Sequence, residues 1–348
     1  MGVDPSHTVI IGRRLDLGEV VRIARGEARV SLHPDARDRV DATRAQLEAG
    51  LAAGKRIYGV NTGFGALSDT SIPADKLRQL QRNLLRSHAV GVGEPLAPGD
   101  VRALLALRAH TLALGHSAVT SGLLDQILGL LDAGVVPVVP RQGSVGASGD
   151  LAPLAHLALP LIGEGEAWVG GERLSGAEAL ARVGMKPYVL GAKEGLALIN
   201  GTQVTSVIGA RAAVAAAELL TTADAIGALS LDASLGTLAA FDARIHAGKP
   251  HPGQQRTAAH VRALVEGSAL NASHADCGQV QDAYAYRCMP QVHGAVRGAL
   301  RYVVQALTIE LNSLTDNPLV LANDDGTYDV VSGGNFHAAT VAVPLDHL

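Results

Sequence analysis

Aromatic side chains are scarce in this sequence: Phe, Trp and Tyr together make up 3% of 348 residues, with a single Trp. A core of the size this length allows must therefore be filled by Ala, Leu and Val, and Ala and Leu both favour closely packed helices. Cysteine is nearly absent. Cys277 and Cys288, the only two, lack the spacing of a metal-ligand set, and they imply reduced thiols in a cytoplasmic protein rather than a disulfide framework. Charge of one sign does not accumulate either. The net charge is −4, with acidic and basic residues interspersed, so no basic stripe recruits nucleic acid or an anionic membrane, and a small-molecule ligand is expected instead. No uncharged apolar run reaches the roughly 20 residues of a membrane span. The start, "MGVDPSHTVI", has no basic segment leading into an apolar one, so no signal peptide is expected. No repeat of fixed period stands out.

What is present falls into two parts. Residues 1–195 form a mixed region: short alternating pieces ("HTVIIG", "EARVSL"), an amphipathic helix "RDRVDATRAQLEAGLAAG", and helical spacing over 75–90 and 98–135. A hairpin-like piece, "EAWVGGERL", carries Gly-Gly at its turn. Residues 196–348 form a helical bundle. The Ala-rich stretch from 195 to about 240 reads as nearly continuous helix, and another helix spans about 288–313. Helices apolar on most faces are normally buried between other helices. The expected fold class is mainly α, a long-helix bundle with a smaller mixed N-terminal region.

Between "GVVPVVP" and "DLAPLAH" lies a loop, "GSVGASG", for which three chemistries compete. A phosphate cradle would use outward backbone N–H groups, but the G-x-x-x-x-G-K-[ST] and G-x-G-x-x-G spacings are absent, and Asp150 would repel a phosphate. A serine nucleophile would need G-x-S-x-G, whereas the string reads G-A-S-G. The third chemistry is a backbone rearrangement. Gly149, free of a side chain, can bring its nitrogen to the carbonyl carbon of Ala147, and loss of water gives an imidazolone. Loss of water from Ser148 then leaves an exocyclic methylidene, an electrophile the standard side chains lack. Taken alone, three small residues are also simply a turn.

The wider string "GSVGASGDLAPLAH" resembles the signature of the aromatic amino acid ammonia-lyases, whose Ala-Ser-Gly closes to the methylidene-imidazolone (MIO) group. Further segments are similar to that family in the same order: "YGVNTGFG", "LRSHAVGVGEPL", "KEGLALINGT", "VQDAYAYRCMPQVHGAVR", "IELNSLTDNPLV" and "SGGNFHA". The resemblance runs through nearly the whole chain. It implies an ammonia-lyase-like helical fold, an MIO formed from Ala147, Ser148 and Gly149 with neither PLP nor a metal required, and a homotetramer whose active sites draw on several subunits. Ser87-His88 resembles the pair found in histidine-directed members, which implies deamination of L-histidine to trans-urocanate and ammonia. Tyrosine- or phenylalanine-directed lyases and MIO aminomutases would share the backbone chemistry.

That reaction needs an acceptor for the amine and a base for a weakly acidic β-proton. By the resemblance, Tyr58 is the base, and Gly59, Gly63 and Gly65 suit a lid over the substrate. A free tyrosine titrates near 10, so that role calls for positive charge or donors nearby. Arg287 is expected to clamp the substrate carboxylate, with Tyr284 and Gln281 lining the site. Asn200 is expected to contact both the MIO and the substrate, and Phe336 to pack near the ring. His88 is expected to hydrogen-bond the imidazole. Asp150 either holds the triplet in register or caps the helix that follows. Tyr286 stands where histidine-directed relatives commonly carry an aliphatic residue. The chain stops inside "AVPLDHL", whereas members of the family continue further with additional helices. It therefore reads as a C-terminally truncated chain, and a core that assembles with little activity is a further expectation.

Overall fold

The computed structural model describes residues 7–63, 65, 70–274, 276 and 278–348. Cys277 lies outside them, as does Phe64 of the expected lid. Among the described residues the order begins β1 (Thr8–Ile11), α1 (Leu17–Arg25), β2 (Arg29–Leu32), α2 (Ala36–Ala52), α3 (Leu77–His88) and β3 (Val92–Pro95). It continues with α4 (Pro98–Ala113), α5 (Ser121–Asp132), β4 (Val136–Pro137), β5 (Pro140–Gln142), α6 (Leu151–Ala158), β6 (Glu166–Val169) and β7 (Glu172–Ser175). Next come α7 (Gly176–Arg182), α8 (Glu194–Ile199), α9 (Gln203–Ala233), α10 (Ala243–Ala247), α11 (Pro252–Val265), α12 (Ala269–Ser273) and α13 (Tyr284–Arg287). The last are α14 (Met289–Leu311), β8 (Leu319–Ala322), β9 (Tyr328–Val331) and α15 (Ala339–Leu345). The mainly α architecture is as expected.

The strands are short and serve as local ties. β1 and β2 run parallel, while β3 with β5, β4–β6–β7, and β8 with β9 are antiparallel. The expected hairpin is β6–β7, with Glu172 opposite Val169 across the Gly-Gly turn.

Two compact units emerge: Met1–Ala210 with Leu307–Ala342, and Arg211–Ala306 with Val343–Leu348. The chain therefore does not divide at 195/196 as the composition suggests. The first residues of α9 are bound into the first unit, where the Thr205 N–H donates to Asp150 and the Gln203 side chain meets Arg108. The segment after α14 returns to that unit as well. Asn312 exchanges hydrogen bonds with the Leu15 backbone at 2.7 and 2.9 Å, and the Val320 N–H donates to His116 O.

The first unit is organised around α4. Its residues from Ala103 to Ala113 are all buried, and α1, α2 and α5 pack against it. A helix covered on every face belongs at the centre of a layer, and the Ala/Leu composition allows that close approach. The second unit has its own core of Ala228, Leu231, Phe241, Ala258, Val261, Val265 and Met289.

Candidate active site

The loop before α6 is held from both ends. The Ser144 hydroxyl donates to the Asp150 carboxylate at 2.7 Å, and Thr205 donates to it through its N–H at 2.9 Å and its hydroxyl at 2.8 Å. Asp150 is fully buried. Burial raises its pKa, opposed by the donors of Thr205, Ser144 and Val204. Its side chain does not cap α6, so the capping alternative is set aside: the carboxylate ties the loop to α9. The Asp150 N–H donates to Gly201 O at 2.7 Å, and the Ala338 N–H donates to Gly146 O at 3.0 Å.

Within this frame the backbone doubles back. Gly149 N–H donates to Gly146 O at 3.2 Å, with Gly149 at φ +78°. A Cβ at Gly149 would lie inside 3.0 Å of the Gly201 carbonyl oxygen, so only glycine fits. Gly149 is buried, whereas Ala147 and Ser148 are exposed. The triplet is thus clamped at its glycine and presents its serine outward.

Asn200 ends α8 in extended conformation and donates through Nδ2 to Ser148 O at 3.4 Å. Its Oδ1 is buried with no hydrogen-bond partner among the described residues. Buried acceptors are nearly always paired, so an unpaired one beside the loop suits an N–H brought by a ligand. Phe336 is half-buried, two residues before Ala338, in the segment bound to Gly146.

His88 closes α3 with Nδ1 2.9 Å from Leu84 O. A carbonyl only accepts, so Nδ1 carries the proton, and in the neutral ring Nε2 remains an acceptor. Ser87 donates to the same carbonyl at 3.0 Å. Tyr58 lines a cleft of about 390 Å³ together with Lys55, Arg56, Pro318, Asp329 and Ser332. Its hydroxyl accepts the Gly65 N–H at 3.4 Å.

Gln281, Tyr284 and Arg287 belong to the second unit. Arg287 lies over the Tyr284 ring, 5.7 Å from its centroid, and donates through Nε to Asp282 O at 3.0 Å. Thr237 holds the Asp282 carboxylate through its N–H and its hydroxyl, both at 2.9 Å. Gln281 and Tyr284 are exposed, the latter at 74%. Tyr286 bonds Ser234 at 2.9 Å and packs on the core of its unit.

The sequence reading missed several buried residues of the first unit. Gln81, fully buried in α3, donates to Gly59 O at 3.2 Å and accepts the Leu196 N–H at 3.1 Å, tying the Tyr58 turn to α8. Arg108, in α4, is buried beside α8. Lys193 is fully buried in an ion pair with Asp316 at 2.5 Å, and burial lowers its pKa despite that partner. The only signal was a charge inside an apolar run, as in "ALLALRAHTLA". A separate cavity of about 600 Å³ in the second unit is lined by Lys249, Arg256, Arg297 and Arg301 and by none of the expected site residues.

The mainly helical fold thus sets an Ala-Ser-Gly turn, with Gly149 at φ +78°, beside Asn200, whose Oδ1 has no partner among the described residues. The chain belongs to the aromatic amino acid lyase family, whose sequence profile matches residues 15–348. It is 53% identical over 343 residues to the histidine ammonia-lyase of Sorangium cellulosum, covering 97% of this chain and 67% of that protein. It is 51% identical over 342 residues to that of Symbiobacterium thermophilum, covering 98% and 67%. Among solved structures it is similar to histidine ammonia-lyase from Trypanosoma cruzi (TM-score 0.88, 40% identity, 98% of this chain and 64% of that one). It is also similar to Pantoea agglomerans phenylalanine aminomutase (TM-score 0.91, 34% identity, covering 99% and 69%). The chain spans about two thirds of the length of these relatives.

Proposed function

We propose that this chain is the core of an ammonia-lyase that converts L-histidine to trans-urocanate and ammonia with an MIO closed from Ala147, Ser148 and Gly149. The observation that carries the reading is the clamped triplet: Gly149 fixed at φ +78° against Gly201, Ser148 exposed, and the unpaired Asn200 Oδ1 alongside. These residues fit the group. When formed, it supplies an electrophilic carbon that makes the amine a better leaving group.

The chain's own residues then have separable tasks. Tyr58 removes the β-proton, beside the cations Lys55 and Arg56 that line its cleft. Arg287 pairs with the substrate carboxylate through its terminal nitrogens, oriented by its Nε bond to Asp282 O. His88 Nε2 accepts the imidazole N–H, and Asn200 Oδ1 accepts an N–H of the substrate amine. Gln281, Tyr284 and Phe336 wall the site. Histidine as substrate is supported by the two histidine ammonia-lyases at about half identity and by the orientation of His88. The assembly is a homotetramer, supported by the exposed apolar faces of the second unit, and it resides in the cytoplasm, in keeping with the free Cys288. A second reading, an aminomutase, is favoured by the likeness to the Pantoea enzyme.

The test is to offer purified protein L-histidine, L-tyrosine and L-phenylalanine side by side. Urocanate is expected from histidine alone, and no β-amino acid from any of them. Ser148→Ala should remove turnover. His88→Leu should lower kcat/KM for histidine about 10- to 100-fold, the cost of one unpaired buried polar group. Wild-type protein whose intact mass shows no loss of water would overturn the reading, and dehydrated protein inert on histidine would leave an assembled but silent core.

A further inference from the structure

Arg108 is 1% exposed, and three acceptors surround it. Nη1 donates to Asn200 O at 3.0 Å and to Gln203 Oε1 at 2.7 Å, and Nη2 donates to Ala197 O. The guanidinium therefore caps the C-terminal carbonyls of α8, where the partial negative charge of a helix collects. Burial lowers its pKa to about 10, with Asp316 opposing, so it remains charged at neutral pH. Gln203 is fixed in turn, donating to Thr111 at 3.1 Å and Thr315 at 2.8 Å.

Gly201 is caught between this cluster and the loop. On one side an added Cβ would lie inside 3.0 Å of Gln203 Oε1, Arg108 Nη1 and Thr315 Oγ1. On the other side its carbonyl oxygen accepts the Asp150 N–H at 2.7 Å and blocks any Cβ on Gly149. The peptide that presses on the triplet thus has no room to retreat.

We propose that Arg108 is a positioning residue for ring closure, holding the Asn200–Gly201 peptide as the rigid wall against which Ala147-Ser148-Gly149 condenses. The proposal rests on the MIO reading above. In the step served, the Gly149 nitrogen adds to the Ala147 carbonyl carbon, and that carbonyl oxygen leaves as water with the protons of the Gly149 and Ser148 nitrogens, so that a C=N bond forms between the Ala147 carbon and the Ser148 nitrogen. The Ser148 hydroxyl then leaves with the Cα proton as a second water, and Cα=Cβ forms. No oxidant or reductant is involved. Arg108 touches none of these atoms. It acts by denying the Gly149 end the movement that would relax the turn, the kind of prepaid orientation that lowers an intramolecular barrier.

The experiment follows intact mass against time after refolding, in wild type, Arg108→Lys, Gln203→Leu and Gln203→Glu. Lysine keeps the charge but cannot span three acceptors, and its loss of two waters should be roughly tenfold slower, the equivalent of one good hydrogen bond. Gln203→Leu removes the acceptor and both threonine ties and should slow closure likewise, which keeps the idea testable should Arg108→Lys not fold. Gln203→Glu retains an acceptor for Arg108 and should close at nearly the wild-type rate. A merely structural role would lower thermal stability equally in all three without separating their rates of dehydration. Folded Arg108→Lys or Gln203→Leu that dehydrates as fast as wild type overturns the proposal, whereas wild type that never dehydrates refutes the MIO reading instead.

Discussion

His110 lies in α4, fully buried, with its Nδ1 accepting the Gly12 N–H at 3.1 Å. Burial lowers its pKa to about 4, against 6.5 for a free histidine, with the Leu311 carbonyl opposing. A histidine depressed on folding supports the fold above the unfolded value and withdraws that support as pH falls from about 6.5 towards 4. A shift of this size corresponds to about 3 kcal/mol. Urea midpoints should therefore drop between pH 7 and pH 4.5, and His110→Gln should flatten the dependence over that interval. An unchanged slope in the variant would show that other groups carry the effect. Neither the burial of His110 nor that of Arg108 was legible in the sequence. Both sit in "ALLALRAHTLA", where periodicity marks a helix without revealing that all its faces are covered. Ala147, Ser148 and Gly149, by contrast, were legible from their sizes as a tight turn, and the resemblance carried by the wider string singled out one chemistry for them.

The helices and the hairpin were largely visible from spacing, and their ends were not. α1 escaped notice although Asp16 and Glu19 form a reciprocal cap, because nine residues give periodicity little to work with. The Ala-rich stretch reads as one helix, yet α8 and α9 part at Asn200-Gly201-Thr202, and that break places Asn200 beside the loop. What positions α8 is its contact with α3. Gly195 lies so close that a Cβ would meet Gln81 O inside 3.0 Å. Gly195→Ala should force the pair apart at a cost of about 1–3 kcal/mol. Because Gln81 also bonds Gly59 O, the turn bearing Tyr58 should loosen with it. Denaturant melts and amide exchange at residues 57–62 would report both, and a variant as stable as wild type would show that the contact has slack.

At the scale of the whole chain, apolar side chains stand exposed among the described residues. Leu219, Ile226 and Leu229 of α9 are 69%, 60% and 70% exposed, spaced seven and three residues apart along one stripe. On hydropathy and length alone the stretch Glu194–Ala233 would pass for a membrane-crossing helix, although Arg211, Glu218, Asp224 and Asp232 lie within it. A stripe of this kind on a bundle helix fits another helix. Leu219→Glu combined with Ile226→Glu should shift the assembly to smaller species in light scattering without disturbing the first unit. Wild type that is already monomeric at micromolar concentration would remove the argument.

By itself the sequence determined the helical class and, through the strings around the Ala147-Ser148-Gly149 loop and beyond it, the kinship with the aromatic amino acid lyases. Each of these depends on residue size, periodicity or short contiguous strings. Only the tertiary structure decided what keeps that loop under constraint. The Asn200 carbonyl meets Arg108 from 92 residues away, and Asp150 meets Thr205 from 55 residues away. Such partners share no local pattern. They are selected by the packing of α4, α8 and α9, which brings a buried charge to carbonyls that would otherwise lie unpaired.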